Sequence, residues 1–272
     1  MECKMKNISI NYEVMGSGKP IVMIHGSHVD HRLMTGCMKP VFSNKDGYKR
    51  IYIDLPGMGK TKGEKWITNS DIMLDIVIDF IDKIIPNENF LLAGESYGGY
   101  LARGIVHKIA NRVDGLLLLC PSITMDLKKR NVPKHIVLKK DDKLLAQLDP
   151  YDAEGFNSIQ VVQSKKIWDR YRNEILSGIR LADKDFLLKL EQNGNAFSFD
   201  VDGLDEKFNK PTLILLGRQD SSVGYKDAWG ILDNYPRATF AVLDRSGHNL
   251  QIEQVEVFNS LVNEWLLRVI ES

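Results

Sequence analysis

Apolar and polar positions along this chain fall into two recurring patterns. Short apolar runs occupy positions 20–24, 90–93, 115–120 and 211–216, and strands are also expected at 50–54 and 238–243. Runs of that length read as buried strands. Ile8, Ile10, Tyr12 and Val14 instead alternate with polar residues, the pattern of a half-exposed strand. Between the runs, apolar residues return at helical spacing. In 68–85, Ile72, Ile76, Phe80 and Ile84 stand four apart, and Val77 and Ile81 widen the stripe. That segment begins at a Thr/Asn/Ser cap and stops before Pro86. Helices are also predicted at 97–109, at 227–234, and at 251–270 with Val255, Phe258, Leu261, Val262, Trp265 and Leu266 on the buried side.

Strand and helix alternate as far as Pro121, which specifies an α/β fold with a mainly parallel twisted sheet flanked by helices. After Pro121 the character changes. Lys128-Lys129-Arg130, Lys139-Lys140-Asp141-Asp142 and Lys165-Lys166 are solvated charge runs. Ile159, Val162, Ile167, Trp168, Tyr171, Ile175, Phe186, Leu187 and Leu190 recur at helical spacing, with no buried strand among them. The expected organisation is a core over 1–121, an inserted helical cap over 122–209, and the rest of the core over 210–272. Trp168 and Tyr171 suit the cap's own packing; Trp168 is also a candidate substrate contact if one apolar face of the cap turns to a pocket.

Chemistry enters at the turns that follow the strands. Gly94-Glu95-Ser96-Tyr97-Gly98 joins a buried strand to a helix and matches G-x-S-x-G, the nucleophile elbow. The glycines permit a very tight turn, and Ser96 is held above the sheet's end at a helix N-terminus. His25-Gly26-Ser27-His28 follows the 20–24 strand, at the carboxyl edge where open α/β sheets bind ligands. Gly59-Lys60-Thr61 invites comparison with a phosphate loop. That pattern needs glycine where Asp54 stands, and Pro56 removes a backbone donor.

Asp220 and His248 also follow predicted strands. A serine hydroxyl needs an imidazole to take its proton, and the imidazole needs an acceptor to fix its tautomer. Ser96, Asp220 and His248 stand in the chain order that a Ser…Asp…His hydrolase uses. Asp126 is the rival acid. His28 and His31 read as pocket lining or loop polar groups, with His28 the candidate substrate contact. His107 and His135 read as surface residues. No cluster has metal-ligand spacing.

Taken together, His25-Gly26, Asp54-Leu55-Pro56-Gly57-Met58-Gly59, Gly94-Glu95-Ser96-Tyr97-Gly98-Gly99, Gly217-Arg218-Gln219-Asp220 and Gly247-His248 make the chain resemble the capped α/β-hydrolase family over nearly its whole length. The resemblance implies oxyanion donors at the backbone N–H groups of Tyr97 and Ser27. Two positions depart from the pattern: Glu95 stands where many esterases have His, and Thr61 where a serine is usual. Members with an aspartate nucleophile are excluded by Ser96. Esterases, carbon–carbon bond hydrolases, lactonases, small amidases and aminopeptidases are not separated.

Composition narrows the partners. Of 272 residues, Lys+Arg and Asp+Glu number 36 each, and no basic cluster is interleaved with aromatics, so nucleic acid is not expected. Three cysteines without C-x-x-C spacing fit reduced thiols in a cytoplasm. No apolar run is long enough to insert in a membrane. The expectation is a serine hydrolase without cofactor or metal, acting on a small-molecule acyl substrate: a carboxylic ester or related carbonyl compound, including C–C bond hydrolysis. The competing class is a ligand-binding or signalling protein on the same scaffold with little turnover.

Overall fold

A computed structural model describes all 272 residues. Eight strands form one sheet: β1 (Glu2–Lys4), β2 (Ser9–Met15), β3 (Lys19–Ile24), β4 (Tyr48–Ile53), β5 (Phe90–Glu95), β6 (Val113–Leu119), β7 (Thr212–Gly217) and β8 (Ala238–Leu243). Their order across the sheet is β1-β2-β4-β3-β5-β6-β7-β8. β1 pairs with β2 and β2 with β4 in antiparallel fashion; every other pairing is parallel. The central strands are the continuous apolar runs of the sequence. Leu116 to Leu119 in β6 are all buried, because helices cover both faces of a parallel sheet. Each such side chain removed from water stabilises the fold by about 1.5–3 kcal/mol. The alternating β2, one strand in from the sheet's edge, keeps Ile10 and Tyr12 inward.

The helices of the first part are α1 (Arg32–Val41), α2 (Ser70–Ile84) and α3 (Tyr97–Ile109). Asn69 caps α2, its side chain accepting from Ile72 N–H at 3.0 Å. α1 departs from the sequence expectation, which placed no helix there. Gly36 and Pro40 lower its helix propensity, yet β3 and β4 are parallel neighbours and need a crossover. Burial of Leu33, Met34, Cys37, Met38 and Val41 along one face holds it.

Between β6 and β7 the regular elements are helices joined by loops, beginning with a 3₁₀ turn over Leu127–Lys129, with one isolated bridge between Lys139 and Val162. The elements are α4 (Asp142–Leu145), α5 (Pro150–Ile159), α6 (Lys165–Tyr171), α7 (Ser177–Ile179) and α8 (Lys184–Gln192), with a π-helical turn over Arg172–Leu176 joining α6 to α7. Two further differences come after β7. Asp227–Asn234 is a 3₁₀ helix. The C-terminal helix is broken at Gln254 into α9 (Leu250–Glu253) and α10 (Val255–Ile270). In α10, Phe258, Val262, Trp265 and Leu266 are buried, while Val255 and Leu261 are partly exposed.

Candidate active site

Ser96 sits between β5 and α3 at φ +53° and ψ −115°. A non-glycine residue there costs about 1–3 kcal/mol, so the surroundings must enforce it. The flanking glycines show how. A Cβ on Gly98 would lie 2.3 Å from the carbonyl oxygen of Ile24, and one on Gly94 would lie 2.3 Å from that of Gly98. Strand and helix therefore approach too closely for any side chain at either position. Ser96 N–H donates to Leu119 O at 3.0 Å, and Ser96 O accepts from Ser122 N–H at 2.9 Å. The turn is thus tied to the end of β6.

Asp220 follows β7, and His248 lies between β8 and α9. His248 Nδ1 is 2.9 Å from Asp220 Oδ2, and His248 Nε2 is 3.0 Å from Ser96 Oγ. An ionised carboxylate only accepts, so Nδ1 carries the proton and Nε2 is left to accept from the serine hydroxyl. The other oxygen, Asp220 Oδ1, accepts from Ser222 N–H at 2.8 Å and Val223 N–H at 3.0 Å. Burial would raise the carboxyl of Asp220, but the His248 ring and those two N–H groups outweigh it and hold it ionised below its usual range. Burial would likewise push His248 down; Asp220 first and Glu95 after it reverse this and raise the ring to about 9, with Arg130 opposing them.

A cavity of about 550 Å³ opens above Ser96. Ser27, Tyr97, Met58, Arg130 and Glu191 are among its walls. Arg130 is anchored from behind: Nε donates to Thr124 O at 2.7 Å and Nη1 to Ser222 O at 2.9 Å. Ser27 and Tyr97, whose backbone N–H groups the sequence nominated as oxyanion donors, flank Ser96 in this cavity. Tyr97 opens α3, where first-turn N–H groups have no intrahelical acceptor. Its hydroxyl is 2.9 Å from Ser70 Oγ, which in turn donates to Asn195 O at 2.7 Å on the cavity wall.

The remaining nominated residues make no contact with the Ser96–His248–Asp220 chain of hydrogen bonds. His28 adopts φ +66°, with Nδ1 2.9 Å from Ser27 Oγ and Nε2 3.7 Å from Glu191 Oε1. Trp168 is packed edge-on against Phe156 and is not among the cavity walls. Asp126, the rival acid, is at the cavity rim and caps Lys128 N–H at 3.0 Å, away from His248.

Three residues carry more of the site than the sequence indicated. Glu95 is 2% exposed, and its Oε1 is 3.3 Å from His248 Nε2. Burial pushes its carboxyl up to about 7, against the pull of the His248 ring. The sequence marked it only as a departure in the elbow. Glu253 accepts from Gly247 N–H at 2.7 Å, Val161 N–H at 2.6 Å and Val162 N–H at 3.0 Å. One half-buried carboxyl group thus ties the helical insertion to the loop carrying His248. Arg130 belongs to a charge run and carried no separate signal.

Two groups bring metal-ligating atom types together: Cys120, Asp220 and His248, and Asp30, His31 and Asp54. In each, the central carboxylate is already engaged by N–H donors. Asp54 accepts from Asn11 Nδ2 at 2.7 Å, His31 N at 3.0 Å and Lys60 N at 3.0 Å, with His31 Nδ1 at 2.7 Å. The Gly59-Lys60-Thr61 segment is therefore wrapped around Asp54. No helix is long and apolar enough to cross a membrane.

The comparisons with known proteins agree with this architecture. A solved α/β superfamily hydrolase from Oenococcus oeni PSU-1 superposes with a TM-score of 0.90 at 34% identity, covering 99% of each chain. A 2-hydroxy-6-oxononadienedioate/2-hydroxy-6-oxononatrienedioate hydrolase of Burkholderia vietnamiensis is 26% identical over 96% of this chain and 92% of its own. A pimeloyl-[acyl-carrier protein] methyl ester esterase of Legionella pneumophila is 25% identical over 95% of this chain and 100% of its own. The family model described as serine aminopeptidase, S33, matches residues 19–255. The chain belongs to that family, within the α/β-hydrolase superfamily, and is a hydrolase.

Proposed function

We propose that the protein is a serine hydrolase that cleaves a small acyl substrate, a carboxylic ester or related carbonyl compound, through Ser96, His248 and Asp220. The observation that carries this reading is the Ser96 Oγ to His248 Nε2 distance of 3.0 Å, with Asp220 at 2.9 Å from the opposite ring nitrogen. Ser96 Oγ attacks the carbonyl carbon as Nε2 takes its proton. The imidazolium that forms is stabilised by Asp220 and returns the proton to the leaving group. The N–H groups of Tyr97 and Ser27 stabilise the oxyanion, and water then releases the acyl group. The helical insertion over 122–209 acts as a cap that selects the substrate. Esterase and hydrolase names among the relatives support the reaction class.

Incubation with a fluorophosphonate, followed by peptide mass mapping, tests the nucleophile. Covalent label on Ser96 is expected. Folded protein with Ser96 unlabelled would overturn the reading. A screen over esters, thioesters, lactones and amino-acid arylamides tests turnover. Tight binding with negligible turnover on all of them would instead favour a ligand-binding protein on this scaffold.

A further inference from the structure

His248 Nε2 has two neighbours competing for it. Ser96 Oγ is at 3.0 Å and Glu95 Oε1 at 3.3 Å. The hydroxyl needs the lone pair on Nε2, whereas an ionised Glu95 needs a proton there. Glu95 is held in this place. It ends β5, is 2% exposed, and its second oxygen fills the space over Gly26: a Cβ on Gly26 would meet Glu95 Oε2 at 2.3 Å. The glycine of His25-Gly26 thus leaves room for a carboxyl group beside the base.

We propose that Glu95 governs whether His248 Nε2 carries a proton and so sets the lower pH limit of catalysis, a role that rests on the Ser96–His248 reading above. A carboxylate at this distance favours the imidazolium, which cannot accept the serine proton. Two sites this close titrate as a pair. With one proton between them, only the arrangement with neutral His248 and protonated Glu95 is competent. The other groups facing the pair do not replace this effect. Asp220, after β7, engages the opposite nitrogen. Arg130, from the segment after β6, opposes the imidazolium. Cys37 in α1 and Cys120 at the end of β6 stay protonated, since burial raises both thiols. Glu253 in α9 reaches the histidine loop through Gly247 N–H, not through the ring.

The test is the pH dependence of kcat/KM on p-nitrophenyl acetate for the wild type and for Glu95→Gln. The amide fills the same space without the charge. Its acid limb should move down by about one pH unit or more, the effect of losing an opposite charge within hydrogen-bonding range. Glu95→Asp keeps the charge and should restore most of the wild-type position. Superimposable profiles for wild type and Glu95→Gln would overturn the proposal. An NMR titration of the His248 ring in Ser96→Ala and in Ser96→Ala/Glu95→Gln reads the same shift without turnover. Failure of the hydrolase reading would look different: no fluorophosphonate label on the wild type, while the ring titration still decides the role of Glu95.

Discussion

Asp220 Oδ2 lies 2.9 Å from His248 Nδ1 although the two residues are 28 positions apart in the chain. The intervening 3₁₀ helix and β8 return the chain beside β7, so the loops after adjacent parallel strands meet. Asp220→Asn keeps the volume but presents an amide donor where an acceptor is needed. The wrong ring tautomer follows, and the developing imidazolium loses its counter-charge. The expected loss is about 10⁴ in kcat, as for a serine protease of the same geometry. Asp126→Asn should leave the rate nearly unchanged, since Asp126 caps Lys128 N–H at the cavity rim. Steady-state kinetics of the two variants on one ester checks both.

Ser96→Ala is expected to abolish ester turnover and fluorophosphonate labelling with little change in melting temperature. The hydroxyl is bonded to His248 rather than to the core, and the strained backbone is the same for alanine. A large fall in melting temperature would mean that the hydroxyl holds the elbow together.

Gly98→Ala and Gly26→Ala should fail in different ways. At Gly98 the new Cβ meets backbone, the Ile24 carbonyl at 2.3 Å. Backbone cannot step aside, so a cost of about 1–3 kcal/mol or more is expected in denaturant unfolding. At Gly26 the nearest atom is the end of the Glu95 side chain. Rotation of that carboxyl relieves the 2.3 Å contact and leaves the milder one with Ser96 Cβ at 2.9 Å, which bears on the nucleophile itself. Stability should then fall less than in Gly98→Ala, while kcat falls through displacement of groups beside His248.

Stability at low pH should depend on Asp54. Burial would raise its carboxyl, but the His31 ring and the Lys60 N–H hold it well below the usual range. A depressed carboxyl contributes stability above its unfolded value of about 3.9, and loses it as pH falls towards the folded value. Asp54→Asn should therefore be destabilised at pH 7 by about 1.5–3 kcal/mol, the scale of one hydrogen bond to a charged group. Its deficit against the wild type should shrink below pH 4. Thermal melts at pH 3 and pH 7 read the difference. A deficit that does not change with pH would show that packing, not charge, is the role of Asp54.

Glu253→Gln replaces one oxygen that accepts an N–H by an amide that donates. Gly247, Val161 or Val162 would then face a donor. Leaving such a group unpaired costs about 1–3 kcal/mol. Because Gly247 precedes His248, kcat should fall along with stability, and faster proteolysis near Val161 should accompany it.

Ser96, Asp220 and His248 were legible because each stands in the turn that follows a strand, and the residues that mark such a turn are its chain neighbours. Glycines two positions from Ser96 and Gly247 before His248 are local signals. The strands β3, β5, β6 and β7 were legible for the same reason: a strand buried on both faces must be a nearly continuous apolar run. What local pattern missed has a long-range cause. α1 has poor propensity, and the need to cross from β3 to its parallel neighbour β4 forms it. The break at Gln254 interrupts an apolar stripe that continues on both sides.

By itself the sequence determined the α/β class, the strand order along the chain, the helical insertion and the residue types at each turn, since these follow from periodicity and steric limits within a few residues. Tertiary structure decided what faces what. Strand order across the sheet brings His248 to Ser96 over 152 positions. The same closeness places Glu95 against the same ring nitrogen of His248 that Ser96 meets, buries Trp168 among aromatics, and sets Glu253 under the histidine loop. These contacts depend on the relative placement of whole elements, to which the identity of neighbouring residues in the chain is blind.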